Sequence, residues 1–239
     1  MDLRSQARAI VRAARQRGAL WVRLLDLVRL AASGEGRAIL WTRTVHRREV
    51  HQTTPFTCEE RYPALFDLAA KLAPDPRRIL SFGCSTGEEL SALRRRFPRA
   101  EIVGAEINPR SRRIAGRRMA NDPRTSVIHP RVLQGPFDLV FALAVLQREP
   151  HKIAAMGVTD LSAHYPFARF DAAARELAQL LGSRGILCVS NMHYRIEDSA
   201  VADGLEPIPA APVISGSIYS PDGKPIEHAT ARTMFRRRN

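Results

Sequence analysis

Glu88 and Glu89 stand directly behind a short run bounded by glycines, Gly83-Cys84-Ser85-Thr86-Gly87, and ahead of apolar residues near helical spacing, Leu90 and Leu93. Carboxylates at a helix start meet free backbone N–H groups and the positive end of the helix dipole. They satisfy that end themselves and repel a phosphate, the usual guest there. Such a site suits a positively charged ligand. A plain helix cap, with Ser85 or Thr86 as N-cap, also accounts for the acids locally. The spacing G-x-x-x-G is neither the dinucleotide fingerprint G-x-G-x-x-G nor the phosphate loop G-x-x-x-x-G-K-[ST]. A further carboxylate, Glu106, closes the run EIVGAE 23 positions after Gly83. An acid roughly 20 residues past a glycine turn is where nucleotide-binding α/β units hold ribose hydroxyls. One carboxylate accepts from two vicinal hydroxyls at once.

The elements that must position these residues follow from the hydrophobic pattern. Arg78–Phe82 reads as a short buried strand, 83–87 as a tight turn, and the residues from Glu88 to Arg96 as a helix. Strand, glycine turn and helix open a nucleotide-type α/β half. S-adenosylmethionine carries an ammonium, a sulfonium and a ribose, and no phosphate, so it suits both sets of acids. Asn108-Pro109 starts a helix through Met119, Thr125–His129 is a third strand, and Phe137–Ala142 a fourth with Phe141 and Ala142 at its ligand-facing end. Residues 147–169 form a long connection holding His151, Asp160, His164 and Tyr165, and such connections serve as lids or substrate loops. A solvated loop with a short helix is the alternative. Phe170–Leu181 is an amphipathic helix ended by Gly182, and 185–190 the fifth strand, followed by the polar residues Asn191, His193, Tyr194 and Arg195. Residues 205–212 read as extended. Val213–Tyr219 and Ala229–Phe235 alternate as two antiparallel strands joined through Pro221-Asp222-Gly223. Ahead of the first strand, Thr57–Leu72 reads as a helix with Thr57 as N-cap.

RILSFGCSTGEEL resembles the first motif of the class I S-adenosylmethionine-dependent methyltransferases, EIVGAEINP the second, GPFDLVFALAVLQ the fourth and LLGSRGILCVSN the fifth. The likeness covers Arg78 to Asn191. It departs from the family where Ser81 stands in place of an opening acid and Ser85 in place of a glycine. STGEE also resembles the chemotaxis-receptor methyltransferases, which lack that acid too. The resemblance implies a doubly wound α/β fold with a mostly parallel seven-stranded sheet and an antiparallel last strand. Charge and pattern set off residues 1–55 as a basic helical extension, and the resemblance makes 56–239 the donor-binding domain. It also implies that S-adenosyl-L-methionine is the cofactor, held by Ser81, Gly83, Ser85, Gly87, Glu88, Glu106, Ile107, Asn108, Phe141 and Ala142. Glu88 would take over the ammonium contact, and His129 would lie by the adenine. Candidate groups on the acceptor side are His193, Tyr194, His151 and Tyr62, with Arg61 beside the last.

The 239 residues are 45% hydrophobic, enough for one sizeable core with an appendage. Three cysteines, an odd number without metal-like spacing, fit a reducing compartment, and the seven histidines form no ligand motif, so no metal is expected. The apolar stretch GALWVRLLDLVRLAA is broken by Arg23, Asp26 and Arg29. It is therefore read as neither a signal sequence nor a membrane span, and the protein as cytoplasmic. The formal net charge is +13, and residues 1–55 hold 11 arginines against 4 acids. Within them, residues 2–33 read as amphipathic helices with Arg4, Arg8, Arg12 and Arg15 in one stripe, and Arg236–Arg238 add a basic tail. This balance admits nucleic acid or an anionic membrane as a partner, and equally admits solvated helix faces. The reading is a methyltransferase acting on a small molecule. An RNA- or protein-directed enzyme, or a nucleic-acid-binding module working through the N-terminus, is the alternative.

Overall fold

The computed structural model describes residues 31–47, 49–52 and 57–239. The expected helices of residues 2–30 lie outside the described residues. The chain divides into two compact units, residues 1–47 and 48–239. In the first, helix α1 (Gly34–Val45) begins at Ser33, whose hydroxyl accepts from the Gly36 amide. The Ser33-Gly34 break is thus a helix start. No described helix is long and apolar enough to cross a membrane.

The second unit is built on one sheet. Its strands are β1 (Arg78–Phe82), β2 (Glu101–Ala105), β3 (Thr125–Ile128), β4 (Phe137–Leu143), β5 (Leu181–Ser190), β6 (Leu205–Pro207) and β9 (Met234–Arg237). They lie in the order β3-β2-β1-β4-β5-β9-β6. The five strands from β3 to β5 are parallel, and β9 runs antiparallel to both β5 and β6. Register is fixed by Ile79 beside both Ile102 and Leu139. The strands are apolar on both faces, as a sheet covered on two sides requires.

The period of two sorts those side chains into two cores. Ile79, Ile102, Leu139 and Ile186 pack with helices α2 (Pro63–Leu72), α3 (Glu88–Arg96) and α4 (Pro109–Arg118). Leu80, Val103, Val140 and Leu187 pack with helix α6 (Phe167–Gln179) and an aromatic group of Tyr165, Phe170 and Tyr194. The short helix α5 (Pro150–Ala155) lies in the long connection after β4.

Three expectations are corrected. The helix before β1 starts at Pro63 and not near Thr57. Proline is preorganised for the first helical turn and steers its predecessor out of it. The two strands expected at Val213–Tyr219 and Ala229–Phe235 pair over three residues each, apart from the main sheet. Only β7 (Val213–Ser215) and β8 (Thr230–Arg232) pair, as a separate two-stranded sheet. β9 closes the main sheet instead, with Leu205–Pro207 as its edge, where a proline costs no ladder bond. Nor is Arg236–Arg238 a free basic tail. Arg236 and Arg237 belong to β9, and Arg237 donates to the Leu181 carbonyl.

Arginines on α3 act as structural ties. Arg94 reaches Asp122 at 2.6 Å and also donates to the carbonyls of Phe97 and Ala100. Arg95 and Arg96 hold Glu60 at 2.7 and 2.9 Å, which fastens the segment ahead of α2 to the last turn of α3.

Candidate active site

The carboxyl ends of β1, β2 and β4 meet where the strand order reverses, the place where open α/β sheets bind ligands. Gly83 leaves β1 at φ +76° and donates to the Ala105 carbonyl at 2.8 Å, so the turn hugs the end of β2. A Cβ on Gly83 would lie 2.5 Å from Val145 Cγ2. The close approach is therefore to Val145, from the segment after β4. Gly87 caps α3 at φ +91° in place of Ser85 or Thr86. Ser85 itself sits at φ +51°.

Glu106 ties the turn to β2. Its Oε2 accepts from the Ser85 amide at 2.9 Å and its Oε1 from the Asn108 amide at 2.7 Å. The Ile107 amide also pulls on this carboxylate, which retains acceptor capacity beyond its backbone donors. The side chain is 7% exposed, and burial pushes its pKa up against the pull of the Asn108 and Ser85 amides and Arg112. Asn108 Oδ1 caps α4, accepting from Arg110 and Ser111 amides, so Asn108 can meet a ligand only through its remaining atoms. Ile107 lies between them, half-buried.

The paired glutamates divide, because consecutive helical residues point about 100° apart. Glu88 accepts from Arg118 at 2.7 Å and from Thr86 at 2.7 Å, facing α4. Glu89 turns over β1 and accepts from the buried Ser81 hydroxyl at 2.8 Å. No cation lies within ion-pair distance of it among the described residues. Burial, partly offset by the Ser81 bond and by Arg61, raises its pKa to about 7. Of the two, Glu88, the residue expected at the ammonium, is bound to Arg118, and Glu89 is the one without an ion pair among the described residues. Ser81, at the position of the missing acid, carries an acid by proxy.

Phe141 and Ala142 are buried within β4, with Phe141 edge-on to Phe66 at 5.6 Å. β4 runs one residue further than expected, so Ala144, at φ +58°, and Val145 form the mouth. His129 accepts from the Arg131 amide at 3.1 Å and caps a short turn after β3.

The acceptor-side candidates separate by burial. His193 is 2% exposed, with Nε2 3.1 Å from the Arg148 carbonyl, and burial lowers its pKa. Tyr194 is fully buried and donates to the Tyr165 carbonyl at 2.6 Å, giving it a packing role. His151 and His164 are exposed on the long connection. Arg195 is taken by Asp198 at 2.7 Å. Tyr62 alone meets the mouth from a second element: its hydroxyl accepts from Asn191 Nδ2 at 2.9 Å. The Arg61 guanidinium lies 5.3 Å from the Tyr62 ring centroid. The long connection is braced and not a free flap. The Leu161 amide donates to the Gly223 carbonyl at 2.8 Å, Lys224 pairs with Asp160 at 2.9 Å, and the Tyr219 hydroxyl donates to the Val158 carbonyl at 3.1 Å.

The sequence marked Glu89 as one of an acid pair and Asn191 as one of a polar cluster, but not how either side chain is oriented. Val145, against which Gly83 packs, carries no signal beyond following a strand.

A family model described as a methyltransferase domain matches residues 56–207. The chain is 32% identical over 110 residues to a trans-aconitate 2-methyltransferase of Rhodopseudomonas palustris strain BisB18, covering 45% of this chain and 43% of that one. It is 33% identical over 104 residues to the protein of the same name from Methylobacterium nodulans, covering 42% and 39%. The chain spans less than half the length of these curated relatives. Among solved structures it is similar to the N-methyltransferase NodS of Bradyrhizobium japonicum WM9, at 14% identity and a TM-score of 0.49, covering 75% of this chain and 96% of that one.

Proposed function

Because this chain belongs to the class I S-adenosylmethionine-dependent methyltransferase family, we propose that it moves a methyl group from that donor to a small-molecule acceptor. The observation that carries the reading is Glu106, a buried carboxylate that holds the glycine turn and retains acceptor capacity beyond its backbone donors. That capacity suits the ribose hydroxyls. Glu89 suits the donor's ammonium, because it is an enclosed carboxylate with no cationic partner among the described residues. Arg61, whose charge Glu89 feels, suits the donor's carboxylate. Ser81 orients Glu89, and the turn from Gly83 to Gly87 approaches the ligand with backbone. When bound, the sulfonium supplies an already activated methyl. The protein's part is then proximity and orientation.

The similar proteins are named for transfer to trans-aconitate, which supports a small-molecule acceptor and makes trans-aconitate the first to assay. The arginine ties of α3 weaken the case for a nucleic-acid surface on the second unit, since those cations are spent on internal carboxylates and carbonyls.

Titration calorimetry is expected to register S-adenosylmethionine or its demethylated product, with NAD and ATP unable to compete. Tight NAD binding without a donor signal overturns the reading. Tritiated methyl from the donor is expected in the small-molecule fraction of a cell lysate and not in its protein or RNA fractions.

The Gly83→Val variant combines a left-handed φ with a clash on Val145, so it should lose donor binding and about 2–4 kcal/mol of stability. Adding Val145→Ala relieves only the clash. Calorimetry and thermal melts of both variants should therefore show part of the stability returning while donor affinity stays low. Full recovery of affinity would make the turn's conformation irrelevant to binding.

A further inference from the structure

We propose that Tyr62 and Asn191 form the acceptor subsite, and that it takes an oxygen nucleophile already anionic at neutral pH, namely a small-molecule carboxylate. The inference rests on the methyl-transfer reading above and names its substrate class.

The pair joins two elements. Tyr62 comes from the N-cap position of α2 and Asn191 from the residue directly after the carboxyl end of β5, and a 2.9 Å bond ties them. On its other side the Tyr62 phenol feels the charges of Arg61 and Glu89. The couple therefore lies next to the proposed methionyl end of the donor. Asn191 is exposed and holds φ +50°, a left-handed backbone outside glycine. Such strain persists where surrounding structure over-determines it, and it gathers at ligand sites.

The hydrogen-bond inventory sets the ligand's chemistry. Asn191 donates into the Tyr62 hydroxyl, which leaves the phenol proton to be given to something else. Asn191 has a second amide hydrogen to give. Burial raises the phenol's pKa, so Tyr62 stays protonated, a donor and a poor base. Of the other candidate bases among the described residues, His151 is exposed on the long connection with no hydrogen bond to the pair, and three more are engaged elsewhere. His193 Nε2 is held at the Arg148 carbonyl, the Tyr194 hydroxyl at the Tyr165 carbonyl, and His51 Nδ1 lies 2.6 Å from the Tyr165 hydroxyl. Glu89, with a pKa suited to proton transfer, is assigned to the ammonium. A subsite of donors to which no base among the described residues is hydrogen-bonded fits an acceptor that needs no deprotonation.

The step balances without a proton. A carboxylate oxygen forms a bond to the methyl carbon as the carbon–sulfur bond breaks, and the bonding pair goes to sulfur. One negative and one positive charge become a neutral ester and a neutral thioether. Tyr62 and Asn191 hold the second carboxylate oxygen and so aim the attacking one.

The test supplies full-length protein with tritiated S-adenosylmethionine and the dialysable fraction of a cell lysate, then treats the product with mild alkali. A methyl ester releases volatile tritiated methanol, whereas methyl ethers and methylamines keep their label. Alkali-labile label is expected. Alkali-stable label overturns the carboxylate assignment and leaves the methyltransferase reading standing. Donor binding by calorimetry without transfer to any small molecule overturns both the acceptor class and the small-molecule reading. Absence of donor binding overturns the proposed function itself.

The subsite is tested in parallel on the same fraction. Tyr62→Phe should raise the apparent KM for the methylated species about tenfold or more, with donor Kd within about twofold of the wild type. Asn191→Asp places a like charge against a carboxylate and should cost more than Tyr62→Phe, again at constant donor Kd. A pair serving only structure would shift donor Kd, or kcat alone. Either result overturns the placement, as does an unchanged KM in both variants.

Discussion

Replacing Glu106 by alanine should weaken S-adenosylmethionine binding by about one to three orders of magnitude. If both ribose hydroxyls donate to this carboxylate, two charge-assisted hydrogen bonds are at stake, each worth roughly 1.5–3 kcal/mol. The upper range is not reached, because the hydroxyls regain water in the variant. The carboxylate also holds the amides of Ser85 and Asn108, so alanine orphans two backbone donors as well. A loss of affinity alone would not separate these effects. A 2′-deoxyribose analogue of the donor does. It should lose affinity against the wild type and little against Glu106→Ala, because its partner is already gone. Equal penalties in the two proteins would mean that Glu106 supports the turn without touching the ribose. Glu106→Gln should fall between them. Its amide oxygen can keep one of the two backbone donors, while its NH2 faces the other.

The parts of the site that the sequence showed are those governed by local chemistry. β1 came out with the boundaries expected and β2 one residue shorter, ending at Ala105 ahead of Glu106, because strands buried on both faces leave unbroken apolar runs. Glu106 was legible because its distance from Gly83 is set by one helix and one strand. The side-chain choice between Glu88 and Glu89 was not, since it depends on Arg118, 30 residues later on α4, capturing the first. His193 and Tyr194 illustrate the same limit. They lie in the polar stretch after β5, yet the aromatic core around Phe170 and Tyr165 draws both inward. Asn191, their neighbour, stays outside only because its left-handed backbone turns the chain at that residue. The closing strands were misread for a related reason. Alternation marks Val213–Tyr219 as a strand, but residues after Ser215 find their partners in the segment from Val158 to Leu161 and in His193 rather than in the sheet. Nothing local to 213–235 encodes that.

The basic character of the chain takes on a different meaning with these contacts in view. Arg94, Arg95, Arg96 and Arg118 on α3 and α4 engage Asp122, Glu59, Glu60 and Glu88. Exposed pairs of this kind contribute little one at a time. As a network they fix the segment 59–62, and hence Arg61 and Tyr62, relative to the start of α3, where Glu89 lies. The arginines thus serve the site by holding its rim.

Glu89→Gln should weaken the donor about ten- to a hundredfold at pH 8 and, in the absence of donor, make the protein more stable. Both effects follow from the same enclosed carboxylate. Burial lifts its pKa from the ordinary 4.5 to about 7, so the folded protein holds a proton there that the unfolded chain has lost. Between those two values stability from this group falls as pH rises. It is fully present below the unfolded value and gone above about pH 7, where the folded protein carries an unpaired charge. The residue is half-buried, so the cost is put at about 1–3 kcal/mol and not the full shift. Glutamine removes the charge and keeps the shape, so the ligand-free variant should melt several degrees higher at pH 8, at roughly 2–4 °C per kcal/mol. Only at about pH 4 and below should the two proteins melt together, since the glutamate is then largely neutral in the unfolded chain as well as in the folded one. Donor binding runs the other way. The donor's ammonium needs the carboxylate, so wild-type affinity should drop toward tenfold per unit as pH falls below about 7. The affinity of Glu89→Gln should stay level from pH 5.5 to 8. Calorimetry at four pH values decides the matter. A wild-type affinity flat across that range, or a variant that binds as tightly at pH 8, would remove Glu89 from the donor site and return the ammonium to Glu88, which would then have to release Arg118 to receive it.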